Sequence, residues 1–370
     1  MTLTRGARAT GAVLCAVLAA LAASWIVRDL RTADGLSALW WFWAGDGRTL
    51  LSARQLTTTL HDPLLLLGCA VAGLAALRSR AAAGALVAAA VVTFAVRLPG
   101  LWLLSAHWMD LRATGELRGR ALVSVFASLA VAVGLIITVV AGRRPADAPL
   151  RATAYGASSQ GQAAYGASSQ EPPHGAGPWA PGAPHPSRGA PLTVFVLLAA
   201  AAAVRAAWEL YWTAQLPASS YAGRFTGRAN LLLPLLGTPP GWLNTAVVAI
   251  SLTAAGGALL RASFARPLGL AAAGLLTASG VSGIALAERL DLLGHFGTLP
   301  TVDRLTVGSW VGELAAGVVT FAVLARGSAL AVPTAAESLR PGHQDRGRDP
   351  GRPAGADPGP PPPSSPPPGW

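Results

Sequence analysis

Long apolar runs alternate with short polar connections along this chain. Eight of the runs contain about 20 mostly apolar residues, the length that an α-helix needs to cross the hydrocarbon core of a bilayer. The pattern therefore predicts eight membrane-spanning helices, at residues 8–27, 57–77, 81–103, 121–141, 191–208, 243–260, 267–287 and 309–326. The first run also has features of a secretory signal peptide, with arginines before its apolar stretch. We interpret it as a retained span because it takes part in a repeat.

The last four runs repeat the order of the first four. Each half consists of a span, a long loop, a span, a tight turn, a span, a shorter loop and a final span. Trp25 corresponds in position to Trp208, and His107 corresponds to His295. Four crossings return the chain to its starting side, so the two halves have the same orientation and form a parallel repeat. The predicted fold is an all-α integral membrane protein with eight transmembrane helices, arranged as two tandem parallel four-helix repeats.

Two segments are rich in proline, glycine and serine and have no apolar pattern. The segment between the halves contains the sequence Ala-Tyr-Gly-Ala-Ser-Ser-Gln twice, and the C-terminal segment ends in runs of proline. Such compositions bury too little apolar surface to fold, so both segments are expected to be disordered. The predicted organisation is a first four-helix membrane unit, a disordered linker, a second four-helix membrane unit and a disordered tail, at residues 1–141, 142–190, 191–332 and 333–370.

Arginine and tryptophan mark opposite ends of the predicted spans. Arginines cluster at the start of the chain and in the tight turns, whereas ten of the twelve tryptophans fall at the other ends of the spans or in the loops there. Positive charge accumulates on the cytoplasmic side of membrane proteins, and tryptophan favours the membrane interface. The sequence therefore predicts a multi-pass protein of the cell membrane with both termini in the cytoplasm.

Composition narrows the class of protein further. Charged residues make up 12% of the chain, about half the share typical of soluble globular proteins. The net charge of +11 comes from arginine alone, and these arginines flank apolar runs, which argues against a nucleic-acid partner. Arginine without lysine, in a chain rich in alanine, glycine and proline, is typical of a high-GC genome such as that of an actinobacterium. The expected partners are the lipid bilayer, other membrane proteins, and a proline-rich-motif-binding domain at the tail.

Several polar side chains fall inside the predicted spans, near the ends that carry tryptophan. Polar and ionisable groups are costly in a bilayer and default to functional hypotheses. The candidates for ligand binding or ion pairing are Asp62, Arg97, Arg205, Glu209, Glu313, His61 and Asn244. The alternative is that these side chains extend to the headgroups or form purely structural ion pairs.

Arg97 is the most informative of these candidates. A guanidinium keeps its proton even at depth, so it must reach water, a headgroup or a carboxylate. The possible carboxylates are Asp62 on the preceding span and Glu313 near the end of the second half. We expect Asp62, because consecutive spans joined by a tight turn pack side by side.

Aromatic residues and loop histidines give weaker signals. The aromatic candidates are Trp40, Trp41, Trp43 and Trp108, which either anchor the protein at the headgroups or form a re-entrant segment over the bundle. His107 and His295, one in each half, raise the possibility of a haem or metal pair. Both lie in loops beyond the span ends, so no metal and no cofactor is assigned.

No nucleotide-binding, metalloprotease or serine-hydrolase motif occurs in the sequence, and no catalytic residue is assigned. The favoured function is therefore a non-enzymatic binding or scaffold protein with an aromatic-rich outer face. The alternative is a transporter or permease with a path between the two halves. A third possibility is an outer-face enzyme that acts on a lipid or a haem-like substrate.

Overall fold

The computed structural model describes residues 2–52, 56–79, 81–111, 113–144, 189–228 and 233–329. Within these residues the fold is helical, apart from two short strands that pair with each other. The helices are α1 (Arg5–Thr32), α2 (Leu36–Ala44), α3 (Gly47–Ser52), α4 (His61–Arg78), α5 (Ala82–Arg97), α6 (Gly100–Leu103), α7 (Gly115–Ala141), α8 (Gly189–Gln215), α9 (Ala218–Thr226), α10 (Pro240–Leu259), α11 (Ala265–Arg289) and α12 (Thr301–Ala329).

Eight helices among the described residues are long and apolar enough to cross a membrane, which confirms the predicted spans. They are α1, α4, α5 continued through α6, α7, α8, α10, α11 and α12. Several extend beyond the predicted limits: α8 continues to Gln215 and α12 begins at Thr301. Hydropathy marks only the apolar part of a helix, whereas backbone hydrogen bonding continues into the polar flanks. The chain is thus a multi-pass helical membrane protein.

Local sequence accounts for where several helices begin. The Thr4 hydroxyl accepts from the backbone N–H of Ala7 at 3.2 Å and caps α1. Thr114 caps α7 in the same way. Helix α10 begins with Pro240, a residue suited to the first turn because the amide it lacks would have no partner there. These signals fix the helix ends, and burial of apolar faces fixes how the helices pack.

The helix directions define two ends of the bundle. We call the end at which α1, α5, α8 and α11 begin the arginine end. The end at which these four helices finish is the tryptophan end. Strand β1 (Thr2–Leu3) pairs antiparallel with β2 (Arg143–Arg144), which directly follows α7. The start of the chain and the end of the fourth span therefore lie at the same end, as an even number of crossings requires.

Apolar packing connects all the described spans. One buried cluster joins α1, α4, α5 and α7, and includes Cys15, Leu86 and Leu135. A second cluster extends across both halves, from Leu65 on α4 to Leu276 on α11. Helix α11 contacts α2, α4 and α5 of the first half as well as α8 and α10 of its own. It is therefore the central helix of the seam between the halves.

Residues 145–188 and 330–370 lie outside the described residues, and with them most of the predicted linker and tail. Residues Met1–Gly327 belong to one compact unit, to which both sets of four spans contribute.

Candidate functional site

Arg97 and Asp62 form a buried ion pair at the tryptophan end of the first half. Arg97 Nη2 donates to Asp62 Oδ1, and the two side chains are 6% and 0% exposed. Asp62 Oδ2 accepts the backbone N–H of Thr59 at 2.7 Å, so the same carboxylate holds the segment that leads into α4. The partner expected from the tight turn between α4 and α5 is the one observed. Both oxygens of Asp62 are occupied within its own half.

Arg205 on α8 is the centre of a larger polar network. Arg205 Nη2 donates to Glu313 Oε2 on α12 at 2.6 Å, and both side chains are almost fully buried. The same nitrogen donates to Ser279 Oγ on α11 at 2.6 Å, and Arg205 Nη1 donates to Asn244 Oδ1 on α10 at 2.9 Å. One guanidinium thus connects all four spans of the second half. Glu313, the alternative partner considered for Arg97, pairs with Arg205 instead.

The network continues along α8 toward the tryptophan end. Asn244 Nδ2 donates to Glu209 Oε1 at 3.0 Å, and Arg224 Nη2 on α9 donates to the same oxygen at 2.9 Å. The guanidinium carbon of Arg224 lies 5.2 Å from the centroid of the Trp212 ring, in a cation–π contact. We call this set the α8 network; its members are Arg205, Glu209, Arg224, Asn244, Ser279 and Glu313.

His61 directly precedes Asp62, and its side chain is partly exposed. Its Nδ1 is 3.5 Å from the hydroxyl of Thr59, which is at the limit of a hydrogen bond. The same hydroxyl lies 3.3 Å from Asp62 Oδ2, so His61 belongs to the polar cluster at the start of α4 in the first half.

Four charged atoms of these clusters have no hydrogen-bond partner in the part of the chain that the structure describes. They are Arg97 Nη1, Arg205 Nε, Arg224 Nε and Glu209 Oε2, and all four are buried. Buried polar atoms are nearly always paired, with protein, water or ligand, because leaving them unpaired is costly. Three of the four belong to the α8 network, which therefore has unused donors and an unused acceptor together.

The halves exchange contacts at the tryptophan end. From the second half, Leu235 and Leu236 pack into a buried cluster of the first half that includes Trp25 and Met109. The backbone N–H of Leu236 donates to the carbonyl of Thr57 at 2.9 Å. From the first half, α2 contacts the C-terminal part of α11. Each half thus inserts the connection between its first and second spans against the other half.

Two side chains of the second half donate hydrogen bonds to backbone carbonyls at the end of α5 in the first half. The Thr238 hydroxyl donates to the carbonyl of Val96 at 3.1 Å, and Trp242 Nε1 donates to that of Ala95 at 2.9 Å. The Trp242 ring also meets the ring of Trp102 edge-on, with centroids 5.4 Å apart. The tryptophan end of the seam is therefore closed by directional contacts as well as by apolar packing.

The candidate aromatic residues contact protein rather than standing free at the surface. On α2, Trp43 Nε1 donates to the Thr58 hydroxyl at 3.0 Å, and the Trp41 ring lies 4.9 Å below the guanidinium of Arg289 on α11. Trp40 is partly buried on the same short helix. Trp108 lies against Gly227, whose backbone is in the left-handed region and leaves no room for a side chain. These tryptophans therefore contribute to the contacts between elements at this end.

Asp46 forms a further polar contact between the halves. Its carboxylate accepts from the Thr49 hydroxyl at 2.7 Å and lies 3.9 Å from Arg289 Nε. The bond from Thr49, reinforced by backbone N–H groups and by the charge of Arg289, lowers the pKa of Asp46 below its ordinary value despite burial. The ionised form is therefore the one that stabilises this end of the seam.

Asp29 is a buried carboxylate that the sequence argument did not select. It accepts four bonds of 2.7–3.0 Å, from the backbone N–H and the hydroxyl of both Thr57 and Thr58. It also pairs with Arg28 at 2.8 Å. This carboxylate fixes the segment before α4 against the end of α1, and so positions Thr59 and His61. The run of three threonines at 57–59 is the feature of the sequence that could have indicated a buried acceptor nearby.

The two loop histidines lie apart from the α8 network. His295 is exposed and pairs with Asp291 at 3.2 Å, and His107 is exposed in a 3-10 turn. Within the described residues, no group of three or more His, Cys, Asp or Glu side chains is arranged to hold a metal ion.

The seven polar side chains singled out from the sequence are all buried or partly buried in the structure, and their role in ligand binding stays a prediction. Arg224 and Ser279, which belong to the same network, were not among them. Arg224 lies in a loop by hydropathy, and Ser279 resembles any small residue of a span, so neither stands out before the helices are packed. Compared with known proteins, the chain matches no family model, no curated protein and no solved structure.

Proposed function

We propose that this chain is a non-enzymatic binding protein that presents a fixed surface at its tryptophan end to a ligand or to another membrane protein. The supporting observation is the exchange of connections between the halves, with Leu236 bonded to Thr57 and Trp242 to Ala95. A surface made from both halves keeps its shape only if the halves do not rock against each other. The directional contacts at this end oppose such motion.

The proposal includes the parallel duplication. Trp25 Nε1 donates to Ser124 Oγ at 3.1 Å, and Trp208 Nε1 donates to Ser309 Oγ at 2.8 Å. Each bond joins the first span of a half to its last span. The connections between the first and second spans are also equivalent in the two halves, since each contacts the third span of the other half. Both observations support a pseudo-twofold axis along the membrane normal, and the arginine end is proposed to face the cytoplasm.

A carrier with a path between the halves is the second candidate. It is favoured by the two buried ion pairs, Arg97 with Asp62 in the first half and Arg205 with Glu313 in the second. A carrier of this kind has to open the tryptophan end at some stage, which breaks the Thr238 and Trp242 bonds. The two candidates therefore differ in whether the distance across the seam changes.

Spin-label distances across the seam test this difference. Nitroxides are attached at Leu36→Cys and Leu290→Cys, which are exposed positions in different halves at the tryptophan end, in a chain whose two native cysteines are replaced by alanine. The control pair is Val13→Cys with Val133→Cys, both exposed and both in the first half. Pulsed electron–electron double resonance is recorded in nanodiscs, in buffers of two different pH values.

A fixed surface gives one distance peak across the seam, as narrow as that of the control pair and unchanged between buffers. A second peak, or a peak that moves between buffers while the control stays constant, contradicts the fixed surface and favours the carrier.

A further inference from the structure

The α8 network holds unpaired charged atoms of both signs. Arg205 Nε and Arg224 Nε are unused donors, and Glu209 Oε2 is an unused acceptor. Asn244 links the three side chains, because it accepts from Arg205 at 2.9 Å and donates to Glu209 at 3.0 Å, and Glu209 accepts from Arg224 at 2.9 Å. The unused atoms therefore belong to one connected cluster rather than to separate sites.

We infer that the α8 network binds a zwitterionic group, in which an anionic oxygen lies close to a primary ammonium. This inference rests on the proposed function, since it names the ligand of the tryptophan end. Arginine can only donate and an ionised glutamate can only accept, so the unused atoms require an acceptor and a donor at the same time. A ligand that carries both satisfies the two arginines and Glu209 together.

The charge of the network also favours a zwitterion. Two arginines and two glutamates balance, with Arg205 and Glu313 paired at 2.6 Å and Arg224 and Glu209 at 2.9 Å. A ligand with net charge would add an uncompensated charge inside a medium of low dielectric constant, where that is costly. A zwitterion adds no net charge and gains charge-assisted hydrogen bonds at both of its ends.

The network reaches the surface at a place suited to such a ligand. The side chains of Arg224 and Glu209 are 19% and 13% exposed, whereas that of Arg205 is 8% exposed and lies deeper. Trp212 stacks beside Arg224, and it packs with Trp208 and Tyr211 at ring distances of 5.3–6.5 Å. Tryptophan and tyrosine rings occupy the headgroup level of a membrane. The same chemistry is available there as a phosphoethanolamine headgroup, or in solution as a free amino-phosphate.

Binding is measured on the full chain, delipidated in detergent, with phosphatidylethanolamine and phosphatidylcholine as matched lipid probes. The two lipids share the phosphate, but the quaternary ammonium of choline has no N–H to donate to Glu209 Oε2. Retained lipid is counted by native mass spectrometry, and thermal unfolding is followed with each lipid and with free O-phosphoethanolamine. We expect about tenfold or greater preference for phosphatidylethanolamine, the order expected when a buried charged acceptor loses its donor.

The variant Glu209→Gln removes the charged acceptor and should abolish this preference. The control variant is Glu116→Gln, whose carboxylate is 75% exposed in a surface pair with Arg120 at 2.5 Å. If Glu209→Gln does not fold, judged by size-exclusion elution and lipid-free unfolding, Arg224→Gln takes its place; it removes a donor to the phosphate that both lipids share, so it should weaken the retention of both, and unchanged retention would overturn the inference. The control should bind like the wild type.

Each outcome decides the inference. Stabilisation by the lipid alone identifies a headgroup as the source, and stabilisation by free O-phosphoethanolamine as well identifies a soluble zwitterion. Equal retention of the two lipids without an effect of the free compound, or a preference that survives in Glu209→Gln, overturns the inference and leaves water as the partner of these atoms. If the spin-label distance across the seam changes while the preference for phosphatidylethanolamine stays intact, the proposed fixed surface is wrong and the proposed zwitterionic ligand stands.

Discussion

Replacing Arg205 with methionine keeps an unbranched side chain that matches the aliphatic part of arginine but removes the guanidinium that joins four helices. Glu313, 7% exposed, then loses a 2.6 Å bond from a cation and stays buried in the bundle. Asn244 and Ser279 lose their donors as well. We expect the second half to be destabilised more by this change than by any comparable change at the surface.

The size of the effect follows from burial. Removing one partner of a buried ion pair typically costs about 3–5 kcal/mol, because the remaining charge is left uncompensated. Removing both, as in Arg205→Met with Glu313→Leu, leaves no stranded charge and should be less harmful than the sum of the single changes. The coupling energy in a double-mutant cycle should therefore reach about 2–3 kcal/mol. For the exposed pair of Arg120 and Glu116, it should stay below about 0.5 kcal/mol.

Reversible unfolding in mixed micelles of dodecyl maltoside and sodium dodecyl sulfate gives the free energies for both cycles. The surface pair at 2.5 Å is the matched control, since it has the same charges at the same kind of distance but is more than two-thirds exposed. A coupling energy for Arg205 and Glu313 no larger than that of the surface pair would refute the view that the guanidinium holds the four helices together.

Three further changes test other parts of the structure. Arg97→Ala strands the Asp62 carboxylate, so its cost in thermal stability should shrink in combination with Asp62→Asn; additive losses would mean that the residues do not interact. Gly283→Ala places a Cβ 2.2 Å from the Trp310 ring and should cost about 1–3 kcal/mol, whereas Gly312→Ala meets open space and should be neutral by the same unfolding assay. Because the pKa of Asp46 is lowered from 3.8, its ionised form stabilises the folded state above that pH, and the contribution is lost as the pH falls through the lower folded value. Asp46→Asn should therefore reduce the melting temperature near pH 7, and this difference should shrink as the pH is lowered below 3.8; a constant difference would contradict the reasoning.

Some of the structure could be predicted because its causes are local in sequence. A span is recognised by the length of its apolar run, which depends on no other part of the chain. The pairing of Arg97 with Asp62 follows from a tight turn between two helices that must then pack together. Both predictions use only neighbours along the chain.

The α8 network could not be predicted in the same way, because its members come from five helices and its central pair, Arg205 and Glu313, is separated by 108 residues in the sequence. Whether Arg205 meets Glu313 depends on α8 lying beside α12 and on how each helix is rotated about its axis. Hydropathy gives neither quantity, and the run of alanines at 199–203 before Arg205, with two more after it, gives α8 no clear polar face. The sequence could therefore select Arg205 as costly to bury but could not name its partner.

Packing of apolar helix faces gives little reason for the two halves to choose each other inside a bilayer, because lipid tails are as apolar as leucine. Specific contact therefore has to come from close fit and from directional bonds. The seam has both at its tryptophan end: Leu235 and Leu236 fill a pocket of the first half, while Trp242 and Thr238 bond to carbonyls at the end of α5. The same carbonyls lie just before Arg97, so the bonds that join the halves also hold the end of α5 that carries the buried ion pair of the first half.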